Sequence, residues 1–169
     1  MKKVYILNLF MIVLVSCSMF KTSSPERFQT NLLPEYVQNV YLGMPLEDFE
    51  EVRDIDKMIV EQGISFRIQY EEIVDNELFQ SIIYYFDASI SSQPLYEMIF
   101  IFQDDVDVES YTESLYGEPS ITYHLPFDEW CWQSGEGFQI LAWTFENKLV
   151  IVGAIKNTEW GDLDICGKK

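Results

Sequence analysis

The chain is poor in the residues that most catalysis and metal binding require. Among 169 residues it has one histidine, His124, and three cysteines, Cys17, Cys131 and Cys166. One imidazole cannot build a His-rich zinc site, and if two cysteines pair, the ligands left are carboxylates. There is no Gly-x-Ser-x-Gly sequence, no glycine-rich phosphate loop, and no Ser or Cys in a context that suggests activation. Asp128 and Glu129 are adjacent, so on a strand they point to opposite faces and make a poor acid–base pair. The reading is of a protein that is not an enzyme and needs no cofactor. Basic residues are scarce as well, with 11 Lys and Arg against 28 Asp and Glu and a formal net charge of −17. A phosphate backbone is repelled by that field and meets no cationic cluster that could release its counterions, which argues against nucleic acid as a partner. A long apolar run is missing too. The 14 positions from Val4 to Cys17, interrupted mainly by Asn8 and Ser16, are too short at about 1.5 Å per residue to cross a hydrocarbon core of about 30 Å.

What is present at that end is an export signal: Lys2 and Lys3, the apolar run, then Leu14-Val15-Ser16-Cys17. The last four residues resemble the lipobox of bacterial lipoproteins. The resemblance implies cleavage before Cys17 and acylation of Cys17 with chains of the palmitate class. It also implies Ser18 as a second residue compatible with outer-membrane anchoring where the source has two membranes. Residues 1–16 then form a signal peptide, 17–36 a flexible tether and 37–169 a single domain. Removing 1–16 takes Lys2 and Lys3 and no acid, leaving 153 residues at a formal −19, enough for one core. A tether of about 17 residues spans roughly 20 to 25 Å, which sets the domain clear of the headgroups. Attachment rests on acyl chains, since anionic lipid repels so acidic a chain.

Aromatics make up 15% of the chain and fall mostly in strand-like runs. Pro45, then Leu46, Phe49, Val52 and Ile55 at threes with Met58 and Ile59, predict a helix over 45–62 that Gly63 closes. Alternation from Ile64 through Phe66, Ile68 and Tyr70 predicts a strand with one wet face. Residues 78–87 and 95–103 are apolar on both sides and read as buried strands. Asp107 is placed to cap a helix whose Val108, Tyr111, Thr112 and Leu115 share a face and which Gly117 stops. Strands follow at 129–134, 137–146 and 148–156, with reversals at Glu136-Gly137 and Asn147-Lys148. The sum is an α+β fold, an antiparallel sheet with two helices packed on one face, whose order hints at a weak tandem duplication.

Gly43-Met44-Pro45-Leu46-Glu47-Asp48-Phe49 is similar to the opening motif of the BamE/SmpA-like small envelope lipoproteins, and Leu115-Tyr116-Gly117-Glu118-Pro119 resembles their helix-ending Leu-x-Gly-x-Pro. Glu129-Trp130-Cys131-Trp132 and Thr144-Phe145-Glu146-Asn147-Lys148-Leu149 resemble the strands that follow. The layout is also similar to that of β-lactamase-inhibitor-like proteins. Both resemblances imply a module that acts by binding other proteins.

Several residues carry alternative readings. In an exported compartment Cys131 and Cys166 can form a disulfide; otherwise Cys131 is a buried thiol and Cys166 a free one. Asp104-Asp105-Val106-Asp107-Val108-Glu109 invites calcium, but a loop begun at Asp105 needs Gly and an acid where Ser110 and Tyr116 stand, so a strand end and an acid-capped helix start fit better. His124, in Tyr-His-Leu-Pro, reads as a loop residue. Trp130 and Trp132 share one strand face and Trp143 lies on the next strand, forming either core or a platform for a partner or a sugar ring. Trp160 is the candidate exposed anchor. The leading expectation is an interaction or assembly module bound to another envelope protein. The alternatives are an inhibitor or sequestering module for a cationic enzyme or peptide, and a carbohydrate-binding module.

Overall fold

The computed structural model describes residues 32–62, 66–74, 76–120, 128–134, 138–161 and 163–167. The signal sequence, Cys17, Gly63 and His124 lie outside them. The elements run α1 (Leu46–Val52), β1 (Ile59–Gln62), β2 (Arg67–Ile73), β3 (Phe79–Asp87), β4 (Leu95–Phe102), α2 (Val108–Tyr116), β5 (Glu129–Gln133), β6 (Gln139–Phe145) and β7 (Lys148–Gly153), with 3-10 turns at Glu35–Val37 and Ile55–Lys57. The seven strands form one sheet in the order β1-β2-β3-β4-β7-β6-β5, antiparallel at every junction. β1 to β4 meander outward to inward, and β5 to β7 do the same from the other edge, so that β7 meets β4 at the centre. This is an α+β fold with both helices on one face.

The helix expected over 45–62 is a correction. α1 ends at Val52, and Arg53 is extended. The three-residue spacing holds only through Phe49: Val52 is 39% exposed, and the β-branched pair Ile59-Val60 joins a ladder opposite Glu71 and Tyr70. A non-local edge pairing thus wins over a local stripe, helped by Arg53. Its Nη2 donates to the Tyr36 carbonyl at 2.7 Å and to Asn39 Oδ1 at 3.1 Å, and Nη1 reaches Glu72 Oε1 on β2 at 3.4 Å. Glu72 also accepts from the Tyr36 and Tyr84 hydroxyls at 3.0 and 2.8 Å. This knot fixes the chain where α1 stops.

Pro45 stands at the start of α1, with Glu47 and Asp48 in the first turn at the positive end of the dipole. The fully buried Phe49 packs on Tyr84, Phe86 and Tyr70 with ring centroids 4.8, 5.1 and 6.5 Å away. α2 begins at Asp107, whose carboxylate accepts from the Ser110 amide at 3.1 Å and hydroxyl at 2.8 Å. Those bonds hold the Asp107 carboxyl below its usual range. Gly117 closes the helix with φ of 78°, a conformation that favours glycine. Tyr111 of α2 stacks edge-on against Phe102 at 5.1 Å. The β6–β7 reversal is Glu146-Asn147, one residue earlier than expected, since Phe145 pairs with Lys148.

Candidate interaction surface

Alternation along the strands divides the sheet into two faces. Register places Ile68, Tyr70 and Glu72 of β2 beside Phe86, Tyr84 and Ile82 of β3, then Met98 and Phe100 of β4, Ile151 and Leu149 of β7, and Ala142 of β6. Trp130 and Trp132 of β5 end this row opposite Ala142 and Ile140. It is the helix side and is filled. Trp130, a candidate for partner binding, is corrected to the core: it is 1% exposed, and its indole donates to the Gly117 carbonyl at 2.8 Å. Trp132 is half-buried on the same side, its ring 4.8 Å from Tyr116, whose hydroxyl donates to the Leu32 carbonyl at 2.7 Å. Strand alternation correctly set the two tryptophans on one face; it could not tell that α2 covers that face.

Among the described residues the opposite face is covered in part by a C-terminal strap, residues 154–161 and 163–167. Four ties hold the strap to four outward-facing residues. Glu159 pairs with Arg67 of β2, and the Trp160 ring lies 6.2 Å from Trp143 of β6. Asp164 accepts from Gln139 at 2.7 Å, and Cys166 forms a disulfide with Cys131 of β5, their Cα atoms 5.6 Å apart. The strap turns tightly at Gly161, where a Cβ would collide with the Ile155 carbonyl. Trp160 is itself part of this strap, half-buried against Trp143, and is not a free anchor.

Under the strap sits a polar cluster built around Glu97 of β4. Glu97 is 7% exposed and Tyr96 is fully buried. Burial pushes the Glu97 carboxyl up; Arg67 and the Trp160 indole oppose that, and Glu159 adds to it. Tyr96 Oη, Glu97 Oε2 and Trp160 Nε1 are nevertheless buried without a hydrogen bond of normal geometry. Burial likewise raises the Tyr96 phenol far above its usual range. Arg67 lies over the Tyr85 and Phe66 rings at 5.6 and 5.8 Å, so its cation is shared between aromatic faces and Glu159. The cluster offers one acceptor, one donor and one hydroxyl that can do either. Nothing in the reading of motifs anticipated Glu97, although a single acid in Leu-Tyr-Glu-Met-Ile-Phe-Ile-Phe was a visible signal.

Beyond the ties of the strap, the described residues of the same face are largely apolar and exposed in part, with Val150 and Ser81 buried among them. One row runs Ile59, Glu71, Ile83, Ile99, Val150 and Trp143; the next runs Ile73, Ser81, Ile101, Lys148 and Phe145. Ile73 is 58% and Phe145 42% exposed, while Ile83, Ile99, Ile101 and Trp143 are half-buried. Glu71 accepts from Ser81 at 2.7 Å. Asp104 accepts from Gln80 at 3.2 Å, which with the Asp107 cap accounts for two acids of the stretch weighed for calcium. Among the described residues no group of His, Cys, Asp or Glu is placed to hold a metal ion, and no helix is long and apolar enough to cross a membrane. No protein-family model, no curated protein and no solved structure matches the chain at a significant level.

Proposed function

We propose that the chain is a lipoprotein of the cell envelope, anchored through acyl chains on Cys17, that acts without catalysis by binding another envelope protein. The observation that carries the binding part is the half-covered sheet: among the described residues, apolar side chains with Ile73 and Phe145 at their ends stay exposed on the face away from the helices. The anchoring part is supported by Leu14-Val15-Ser16-Cys17 behind a basic, apolar leader and by the stretch that follows Cys17, which is shorter than the expected 17–36 because Leu32 and Leu33 already pack on the core. Two membranes in the source would place it on the outer one.

The test is affinity capture of the full-length chain from crosslinked, gently solubilised native membranes, with mass spectrometry of the captured material and a salt-wash series. A stoichiometric envelope protein is the expected result. A blank overturns the reading. Capture of a soluble basic enzyme or peptide, released completely in high salt, replaces it with the inhibitor reading, which the −17 charge favours. Metabolic labelling with palmitate checks the anchor; label taken up equally by a Cys17→Ser variant, or none taken up by the wild-type chain, refutes it.

A further inference from the structure

We infer that the open half of the sheet docks a segment of the partner that is apolar at its centre and cationic at its margin. This rests on the interaction reading above and specifies its surface. The apolar part is Ile73, Ile83, Ile99 and Ile101, side by side on β2, β3 and β4, with Lys148 of β7 and then the exposed Phe145 of β6 continuing the row of Ile101. These side chains belong to the face away from the helices, so they do not complete the core. The margin is set by three loops at one end of the sheet. Glu77 follows β2, Asp104 and Asp105 follow β4, and Glu146 turns β6 into β7, all four exposed. The loops are held together, Gln103 donating to the Leu78 carbonyl at 3.1 Å and Phe102 to the Asn147 carbonyl at 2.9 Å. Their exposed carboxylates therefore gather at the end of the sheet where the row of Ile73 and Ile101 runs. Lys148, half-buried in the second row, is the one cation that the described residues place on this half of the face.

Charge complementarity selects the occupant. A second copy of this chain would bring the same acidic edge against the first, and an anionic lipid surface would be repelled by it. A partner segment carrying Lys or Arg beside apolar side chains is attracted to the edge and buries its apolar part on the strip.

The test places a photo-crosslinking residue, benzoylphenylalanine, at position 73 or 145 of the full-length chain in native membranes, with positions 50 and 113 on the helix layer as controls. Positions 73 and 145 are exposed, so the fold is expected to persist, and unchanged melting curves confirm it. The expected result is an adduct from 73 and 145, absent from 50 and 113, whose crosslinked peptide contains apolar residues next to Lys or Arg. Neutralising the edge with Asp104→Asn, Asp105→Asn and Glu146→Gln should lower adduct yield at least fivefold, while Glu47→Gln, Glu50→Gln and Glu51→Gln change it less than twofold. Adducts only from 50 or 113 overturn the surface and leave the interaction reading standing. An acidic crosslinked peptide, a lipid adduct or a self-adduct overturns the partner chemistry. Absence of adducts at all four positions counts against both readings.

Discussion

Replacing both Cys131 and Cys166 with serine cuts the strongest tie between the strap and the sheet. The two cysteines are 35 residues apart in sequence, and closing a loop of that length removes about 12 to 13 cal/mol/K from the unfolded ensemble, or about 4 kcal/mol at 25 °C. The remaining ties are weak by comparison. The Arg67–Glu159 side chains are 34% and 36% exposed, so solvent screens the pair to about 0 to 1 kcal/mol, and the Gln139–Asp164 bond is exposed. The double variant should therefore lose about 4 kcal/mol and, at roughly 2 to 4 °C per kcal/mol for a domain of this size, melt about 8 to 15 °C lower. Thermal melting of the domain with and without a dithiol provides the assay. Reduction should lower the midpoint of the wild-type protein by the same amount and leave the double variant unmoved. A shift below 2 °C, or two free thiols in the unreduced protein, would refute the account of the strap.

Trp130→Ala should cost about 3 to 5 kcal/mol in urea denaturation, because it empties a fully buried site. Trp160→Ala should cost clearly less, and a reversed order would exchange their assigned roles. Glu97→Gln tests the cluster under the strap by pH. Burial raises the folded Glu97 carboxyl above its usual range, so its favourable contribution is complete below the unfolded value and is lost as pH rises through the folded one. Between pH 4 and pH 8 the wild-type protein should lose stability relative to Glu97→Gln, and parallel pH curves would contradict this. Asp107 has the opposite sign, since its carboxyl is held below 3.8. Asp107→Ala should lower the melting temperature at pH 7, and the gap should narrow as pH falls through the depressed folded value; a gap that is constant with pH argues against the cap.

Where the pattern was local, the sequence carried the structure. Asp107 and Gly117 bracket α2 as their chemistry dictates, and the apolar runs at 79–87 and 95–102 are the central strands. The failures are non-local. Leu46, Phe49, Val52 and Ile55 satisfy a helical stripe, yet nothing in residues 53–62 reveals that Glu72 and the Tyr36 carbonyl wait to hold Arg53 or that β2 offers an open ladder. The same limit governs the site. Alternation showed that Trp130 and Trp132 share a face, but whether that face is covered depends on where α2 lands. Trp160 and Trp143 come together because the strap, tied by Arg67–Glu159 and by a disulfide to a cysteine 35 residues earlier, returns across the sheet.

Seven strands at about 4.8 Å make a sheet roughly 30 Å wide, and each of its two faces needs cover. Helices of seven and nine residues, with the segment before α1, cover one face. Among the described residues the other is crossed by the strap, which is tied to Arg67, Trp143, Gln139 and Cys131 and leaves Ile73 and Phe145 exposed. A protein with Ile73 and Phe145 exposed on an apolar sheet face risks association through that face. The acidic edge at Glu77, Asp104, Asp105 and Glu146 limits the risk, because any two copies meeting there repel one another, while a cationic partner is drawn to the same place. One arrangement thus discourages self-association and favours a complementary surface, which is why the charge and the bare face are best understood together.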